Sequence, residues 1–571
     1  MKRIEKDVPH AISLRAISKH NAVKNGNKVA FKYLGENKKI VEVTYGEHSE
    51  NIENMICALR KEGFEGKRIA IIGETCPEWF ASYFAAISAG AVAIPFDKEL
   101  LYDQLKGFIE IAEADAIIMS PKYSRKYEDL KAAGVFDRLE LVIRIDDGTE
   151  WDVEDEKLVK FSEFVKKGRG LERESVSEIM RKPARGDMSI MLFTSGTTGS
   201  SKCVMLSERN QIACARSAIK STDFSENDVM LSVLPIHHTY ELTINVAIQA
   251  IGATVCINDS LKNVVKNLKL FKPTGIVIVP LFATTFQKKI LEEVRKKGRE
   301  KQLKIGMAAT STMKKVGIDM RRKIFSEILS AFGGNLQKII CGGAAMNPQL
   351  MKFFENLGIT LCEGYGITEC SPLISVNPYF RRKVGSVGPA VSCCEVRIDA
   401  EQVDEKGNLT GEIQVRGENV MLGYYQNDEA NEEAFTDDGW FRTGDIGHLD
   451  KDGYIYITGR CKSVIVLENG KNVFPEEIEE YLEDVEEIAE CVVVGRKKPE
   501  GEEVVLTAVV YPDFNKFEKN TDISVIAADI KSKVTALNKK LPSFKQIRNI
   551  EIRKNEFEKT TTRKIKRFLV K

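Results

Sequence analysis

Short apolar segments alternate with longer segments of helical period through much of this chain. Residues 44–60 and 77–88 have the period of helices, whereas 68–72 and 91–95 are short apolar runs typical of strands. Strands that alternate with helices in this way favour a parallel sheet covered by helices. The first part of the chain is therefore predicted to be α/β.

The alternation continues to about residue 364 and then stops. Further predicted strands lie at 229–234, 253–257, 275–279, 338–341 and 360–363, and further predicted helices at 207–220 and 245–251. Beyond Lys383, short strands separated by Gly and Asp turns predict a small β-rich unit. The charge-rich, weakly periodic stretch 146–187 predicts a surface connector, and the basic stretch 288–322 predicts an exposed helical region.

A compact α+β domain is predicted after about residue 459. Pro475, followed closely by four glutamates, predicts the start of a helix, and 491–494 and 504–511 predict strands. A second helix is predicted because apolar residues recur at three- and four-residue spacing: Ile523, Ile526, Ile530, Val534, Leu537 and Leu541.

Composition narrows the classes of partner and the cellular setting. The 571 residues suffice for roughly three to four domain-sized units, and a formal net charge of +1 gives no broad electrostatic reason to bind nucleic acid. Twelve scattered cysteines without a CxxC pair, and an N-terminus without a signal-peptide core, predict free thiols in the cytoplasm. The uncharged run 79–96 contains Gly90 and Pro95, which favours a buried helix and strand over a transmembrane segment.

The segment MLFTSGTTGSSKCVM, residues 191–205, has the composition of a phosphate-binding loop between two strands. Its glycines allow unusual backbone shapes, its hydroxyls donate hydrogen bonds, and its lysine adds a positive charge. A Walker loop is disfavoured because Lys202 does not follow Gly and a strand comes next. Taken alone, such a run also fits a flexible turn. Its candidate phosphate-binding residues are Thr194, Ser195, Gly196, Thr197, Thr198, Gly199 and Lys202.

Four further motifs accompany this loop: YGITE at 365–369, WFRTGD at 440–445, GRCK at 459–462 and KTTTRKIKR at 559–567. With them the chain resembles the adenylate-forming enzymes, and among these the acyl-CoA synthetases (fatty-acid CoA ligases), over about residues 25–571. The resemblance implies an α/β fold with a large N-terminal domain, 1–461, of two helix-covered sheets plus a small β-barrel-like unit. It also implies a small mobile α+β domain, 462–571. The implied cofactors and substrates are ATP, Mg²⁺, coenzyme A and a medium- or long-chain fatty acid.

The resemblance also implies roles for individual residues in the N-terminal domain. Thr194 and Glu369 would hold Mg²⁺, and Thr368 would donate to the α-phosphate. Tyr365 would lie against adenine, with Gly343 and Ala344 on the other side of the ring, and Asp445, with Arg460 nearby, would accept the ribose hydroxyls. The segment around Tyr365 contributes Glu363, Gly364 and Gly366 to the nucleotide site.

Three further roles concern the transfer step and the C-terminal domain. Lys564 would be the catalytic lysine, although Arg563 stands where the family has Gly. Lys462 would be the hinge between two domain poses, and Gly470 would lie beside the pantetheine chain. The sequence LPIHHTYE at 234–241 would place His238 between the acyl and thiol sites.

Two other functions remain open at this stage. One is an acyl-adenylate ligase that loads an acyl carrier protein, and the other is a nucleotide-binding regulator without catalysis. Chain length, oligomeric state and peripheral membrane contact are not specified by these patterns.

Overall fold

A computed structural model describes most of the chain. The described residues are 8–35, 38–124, 127–145, 155–194, 202–315, 317–403, 407–467, 472–483, 485–497, 504–518, 521–539, 541–559 and 565–570.

The strands are numbered in chain order. They are β1 (Val29–Leu34), β2 (Ile40–Thr44), β3 (Arg68–Ile72), β4 (Val92–Phe96), β5 (Ala116–Met119), β6 (Leu141–Arg144), β7 (Leu158–Lys160), β8 (Met188–Thr194), β9 (Lys202–Ser207), β10 (Val229–Ser232), β11 (Thr254–Ile257), β12 (Gly275–Ile278), β13 (Lys338–Gly342), β14 (Thr360–Gly366), β15 (Leu373–Val376), β16 (Gly388–Pro389), β17 (Cys394–Val403), β18 (Leu409–Gly417), β19 (Gly423–Tyr424), β20 (Phe441–Leu449), β21 (Tyr454–Arg460), β22 (Ile465–Val466), β23 (Asn472–Val473), β24 (Ile488–Lys497), β25 (Val504–Pro512) and β26 (Asn549–Ile552).

The α-helices follow the same order. They are α1 (Leu14–Asn25), α2 (Tyr45–Lys61), α3 (Pro77–Ser88), α4 (Tyr102–Ile111), α5 (Pro121–Ser124), α6 (Tyr127–Ala132), α7 (Phe161–Lys167), α8 (Val176–Ile179), α9 (Glu208–Ser221), α10 (Thr239–Ala250), α11 (Val264–Phe271), α12 (Pro280–Lys296), α13 (Glu300–Lys315), α14 (Arg321–Ile324), α15 (Ser326–Ser330), α16 (Pro348–Leu357), α17 (Asp428–Ala434), α18 (Pro475–Leu482) and α19 (Ile523–Asn538).

Two large sheets organise the first 425 residues. One has the order β15-β14-β13-β12-β10-β11-β1-β2 and the other the order β19-β9-β8-β4-β3-β5-β6-β7. Most neighbouring strands are parallel, whereas β15, β2, β19 and β9 pair antiparallel with their neighbours. Buried side chains from both sheets, such as Ile71 and Val255, belong to one continuous apolar core. The α/β class and the two helix-covered sheets are thereby confirmed.

The uncharged run 79–96 forms a buried helix and the adjoining strand. Pro77 occupies the first turn of α3, and Trp79, Phe80 and Phe84 are each 0% exposed. Val92–Phe96 then pairs in parallel with β3. Among the described residues, no helix combines the length and apolar character needed to cross a bilayer.

The prediction of a surface connector for 146–187 is wrong in part. Of its described residues, Leu158–Lys160 adds an edge strand to the second sheet, and Phe161–Lys167 forms α7. Phe161, Phe164 and Val165 are buried. Their spacing of three and four residues is that of a helix, but the surrounding lysines and glutamates concealed it.

Two smaller β units follow the large sheets. An antiparallel sheet in the order β16-β21-β20-β18-β17 corresponds to the predicted β-rich unit. Strands β24, β25 and β26 form a separate sheet, which shares an apolar core with α18 and α19. Both predicted helices of this last region start where expected, since Pro475 is the first residue of α18 and Ile523 the first of α19.

Candidate active site

Thr194 and Lys202 flank the predicted phosphate loop at the end of two paired strands. They are direct partners in the antiparallel pairing of β8 with β9, and the Thr194 hydroxyl donates to the Lys202 carbonyl at 3.3 Å. Two paired strands thus flank the predicted loop, as its sequence predicts. The predicted residues Ser195, Gly196, Thr197, Thr198 and Gly199 lie outside the described residues.

Tyr424 connects this loop to Glu369. The Lys202 ammonium lies 4.5 Å from the centroid of the Tyr424 ring, and the Tyr424 hydroxyl donates to Glu369 Oε1 at 2.9 Å. Burial and the Glu369 carboxylate raise the pKa of Tyr424, so it stays a donor. The two predicted Mg²⁺ residues, Thr194 and Glu369, therefore belong to one connected cluster.

Glu369 lies in a single 3₁₀ turn, Thr368–Cys370, directly after β14. Its backbone carbonyl accepts from the Met421 amide at 2.8 Å, which fixes the turn near β19. Within the part of the chain that the structure describes, no three His, Cys, Asp or Glu residues form a metal-binding group. A lone carboxylate fits Mg²⁺ that arrives with nucleotide phosphates, since Mg²⁺ commonly takes one or two protein carboxylates.

Tyr365 and Arg460 both contact the Asp445 carboxylate. The Tyr365 hydroxyl donates to Oδ2 at 2.7 Å, and Arg460 Nε donates to Oδ1 at 2.6 Å. Asp445 and Arg460 are also paired residues of β20 and β21. Burial, and then the Asp445 charge, raises the pKa of Tyr365 well above its usual value. Each carboxylate oxygen retains a lone pair, so Asp445 has capacity for two more donors such as ribose hydroxyls.

Small residues make the strand ends beside Tyr365 accessible to a flat ligand. Gly342 pairs with Gly364, and a Cβ on Gly342 would lie 2.8 Å from the Gly364 carbonyl oxygen. Gly343 has φ +88°, a left-handed conformation that favours glycine. Ala344 follows at an exposed position.

Gly366 and Glu363 are constrained in different ways. A Cβ on Gly366 would lie 1.6 Å from the Pro372 carbonyl oxygen, so only glycine fits the pairing with β15. Glu363 is 7% exposed, and burial with the nearby Glu480 charge raises its pKa to about 8. The Glu363 carboxyl is therefore largely protonated at neutral pH.

His238 is the N-cap residue of α10, and His237 and Glu241, which are close to it in the chain, both have shifted pKa values. The His237 ring centroid is 4.1 Å from that of His238, and burial together with the Lys98 charge lowers the pKa of His237 to about 3. Glu241 is 1% exposed, accepts from Ser232 and Asn245, and has its pKa raised by burial to about 7. A neutral His237 thus lies against His238, and Glu241, whose pKa is near neutral pH, follows three residues later on α10.

An apolar cavity lies against the nucleotide cluster. Its walls come from α9, α10 and the ends of β13 to β15, and Gly343 and Tyr365 also line it. The Tyr240 hydroxyl is buried, has no hydrogen-bond partner among the residues that the structure describes, and lies 3.5 Å from the position of a Cβ on Gly342. The predicted adenine-binding residues therefore border a space suited to an apolar group.

The residues predicted for the C-terminal domain are only partly within the described chain. Lys462 is exposed in the 3₁₀ turn Cys461–Ser463, which follows β21. Lys564 and Gly470 lie outside the described residues. Tyr424, in contrast, was missed by sequence reasoning because its strand of two residues is too short to show a period.

Comparisons with known proteins agree with this arrangement. A profile of the AMP-binding enzyme family matches residues 18–425, and one for the AMP-binding enzyme C-terminal domain matches 462–570. A long-chain-fatty-acid–CoA ligase of Mycobacterium bovis is 28% identical over 566 residues, covering 93% of this chain and 90% of the relative. An indoleacetate–CoA ligase of Aromatoleum aromaticum is 30% identical over 485 residues, covering 82% and 83% respectively.

The fold also matches solved structures. A crystal structure of the anthranilate CoA ligase AuaEII with anthranoyl-AMP has a TM-score of 0.75 at 20% identity, covering 98% of this chain and 96% of that one. Enzymes of this kind, the AMP-forming acid–thiol ligases, use ATP with Mg²⁺ and coenzyme A. The chain belongs to the AMP-binding enzyme family, and its enzyme class is acid–thiol ligase.

Proposed function

We propose that the enzyme activates a medium- or long-chain fatty acid as its acyl-adenylate and transfers the acyl group to coenzyme A. The observation that carries this proposal is the apolar cavity that shares Tyr365 and Gly343 with the nucleotide cluster. The cavity volume is about 60 Å³, which is less than a whole acyl chain needs, so its apolar walls would hold only the part of the chain next to bound ATP. The long-chain-fatty-acid–CoA ligases among the relatives support the same substrate class.

The first half-reaction joins two anions, and the cluster supplies the opposing charges. A carboxylate oxygen of the acid forms a bond to the α-phosphorus of ATP, and the bond to pyrophosphate breaks. Lys202 would contact the phosphates, Thr368 would donate to the α-phosphate, and Glu369 with Thr194 would hold the Mg²⁺. The metal would neutralise charge on the leaving pyrophosphate.

Nucleotide position would be set by the hydrogen-bonded group around Asp445. With Tyr365 and Arg460 each fixing one carboxylate oxygen, Asp445 is already oriented before the ribose binds. The Asp445 side chain therefore loses little conformational freedom when ATP binds. We propose that this oriented carboxylate sets the affinity for ATP.

The second half-reaction replaces AMP by a thiol. The CoA sulfur forms a bond to the acyl carbon, the bond to the AMP oxygen breaks, and AMP leaves with that oxygen. We assign Lys564 to the first step only, so that its withdrawal opens the thiol path. Residues 1–461 and 462–571 would be the two bodies that move, with Lys462 as hinge, His238 near the transfer site and Gly470 beside the pantetheine.

An aryl acid is the second candidate substrate, and one observation favours it. Tyr240 lines the cavity, and its hydroxyl is buried without a hydrogen-bond partner among the described residues, which costs about 1–3 kcal/mol. A substrate with a polar ring atom would satisfy it, whereas a fatty acyl chain would not. One relative is named as an indoleacetate–CoA ligase, and indoleacetate is an acid of this kind.

Release of AMP with CoA present, measured over a panel of acids, tests the proposal. The panel contains saturated fatty acids from six to eighteen carbons and matched arylacetic acids. We expect the highest kcat/KM with a fatty acid, and Tyr240→Phe should retain or improve it. A preference for an arylacetic acid that Tyr240→Phe abolishes would establish the second candidate. Supplying acyl carrier protein in parallel with CoA identifies the acceptor.

A further inference from the structure

Positive charge is concentrated in one helical region of a nearly neutral chain. Residues 281–324 contain thirteen Lys and Arg against four Asp and Glu, although the whole protein has a formal net charge of only +1. This region consists of α12, α13 and α14 and lies between β12 and β13. We call it the basic helical surface.

Helix α13 has an inner face and an outer face of different kinds. Leu303 and Thr310 are buried, and a Cβ on Gly306 would lie 3.2 Å from the Phe325 ring, so this side packs on the protein. On the opposite side, Ile305 is 69% exposed, and its neighbours Lys301 and Lys304 are exposed as well. The outer face therefore presents an isoleucine framed by lysines.

More apolar side chains protrude from the same region. Ile318 is 54% exposed, Ile324 46%, and Met313 and Leu291 are each 40% exposed. Scattered exposed apolar residues are ordinary on protein surfaces, but here several share one strongly basic region. That combination is the one expected of a surface that enters the interface of an anionic bilayer.

Nearby carboxylates do not neutralise the outer face. Glu300 pairs with Arg295 at 3.1 Å and Asp319 with Arg321 at 2.6 Å, and Glu327 pairs with Lys297 and Arg299. These ion pairs lie beside the outer face of α13. In the described part of the chain, no carboxylate forms an ion pair with Lys301 or Lys304, so the charge of these two lysines is available to an external anion.

We propose that the basic helical surface docks the enzyme onto anionic phospholipid membranes. The lysines would contact lipid phosphates, and Ile305 and its apolar neighbours would enter the headgroup region. Nucleic acid fits less well, because the protruding apolar side chains would find no partner on a phosphate backbone. This inference does not depend on which acid the enzyme activates.

The surface is also connected to the cavity wall. Helix α12 begins at Pro280, and the preceding Val279 lies 3.7 Å from the position of a Cβ on Gly343, which lines the cavity. The first helix of the basic helical surface thus begins beside the cavity wall.

Vesicle flotation with the full-length protein tests the proposal. Phosphatidylcholine vesicles and vesicles with 30% phosphatidylglycerol are compared at low and high salt. We expect binding to the anionic vesicles alone, with loss at high salt. Each basic residue at such a surface contributes about a fivefold change in partition, so Lys301→Glu/Lys304→Glu should weaken binding by about 25-fold or more.

Two matched controls distinguish docking by this surface from nonspecific adsorption to vesicles. Lys39→Glu/Lys61→Glu reverses two exposed lysines elsewhere and should leave vesicle binding unchanged. Ile305→Gln should weaken binding without changing charge, whereas Val23→Gln, at a residue 72% exposed on α1, should not. Equal loss in both lysine pairs, no binding to anionic vesicles, or binding only to duplex RNA would overturn the proposal.

Discussion

The hydroxyl of Tyr365 donates a 2.7 Å hydrogen bond to Oδ2 of Asp445, eighty residues later in the chain. Arg460 holds the other oxygen of the same carboxylate. Because Tyr365 and Asp445 are both buried, the hydrogen bond between them orients Asp445 within the site before any ligand arrives. The relationship leads directly to a first prediction.

Tyr365→Phe should raise the KM for ATP about tenfold, which corresponds to about 1.4 kcal/mol, because Asp445 loses its orienting donor. Tyr45→Phe is the matched control, since the buried Tyr45 hydroxyl donates to the Ala253 carbonyl at 2.6 Å far along the sheet from this cluster. Both variants should lose some stability. Only the first should change the ATP dependence of pyrophosphate exchange, and an equal KM in both would refute the role of Tyr365.

Glu369→Gln should lower the rate of adenylation by about 100-fold and move Mg²⁺ saturation to higher concentration, because a neutral amide is a weak ligand for Mg²⁺. Tyr424→Phe removes only the donor to Glu369 Oε1 and should have a much smaller effect. Magnesium titrations of pyrophosphate exchange measure both. An unchanged Mg²⁺ dependence in Glu369→Gln would show that the metal is held elsewhere.

Glu241→Gln should change how stability depends on pH. Since burial raises the pKa of Glu241 from 4.5 to about 7, the folded protein retains a proton that the unfolded chain releases in this range. Stability from this group therefore falls as the pH rises from about 4.5 to 7, and the ionised carboxylate costs about 3 kcal/mol at pH 8. Glu241→Gln has no carboxyl to ionise, so it should not lose this stability as the pH rises.

Thermal unfolding at pH 5 and pH 8 provides the measurement. The free energy of unfolding of Glu241→Gln minus that of the wild type should be larger at pH 8 than at pH 5. Glu110→Gln, at an exposed glutamate, serves as the control, and its stability difference from the wild type should be the same at pH 5 and pH 8. If Glu241→Gln also behaves identically at the two pH values, the carboxyl titrates like a solvated one.

Lys564→Ala should slow adenylation by about 100-fold or more while leaving thioester formation from supplied acyl-adenylate close to wild type. The reason is that one ammonium about 4 Å from the reacting anions contributes up to roughly 4 kcal/mol. Lys566→Ala removes a neighbouring lysine and should affect neither step strongly. Equal losses in both half-reactions would show that Lys564 has a different role.

Local patterns predicted much of the fold. The strand pair around 195–201, the helix starting at Pro475 and the stripe from Ile523 all depend on near neighbours in sequence, and all appear where expected. Strand β7 and helix α7 were missed because charged residues concealed a short apolar period.

Contacts between distant segments were beyond the reach of these patterns. Tyr424 lies on a strand of two residues, and its bridge from Lys202 to Glu369 depends on how three segments pack. The unpartnered hydroxyl of Tyr240 likewise arises only once α10 meets the end of β13. Motifs identified the candidate residues, whereas packing determines their partners.

The path of one oxygen atom tests the central claim, formation of an acyl-adenylate, most directly. A fatty acid labelled with ¹⁸O in its carboxylate is converted with ATP, Mg²⁺ and CoA, and the AMP and pyrophosphate are examined by mass spectrometry. Attack on the α-phosphorus predicts one ¹⁸O in AMP and none in pyrophosphate. Unlabelled AMP formed alongside acyl-CoA would contradict the account.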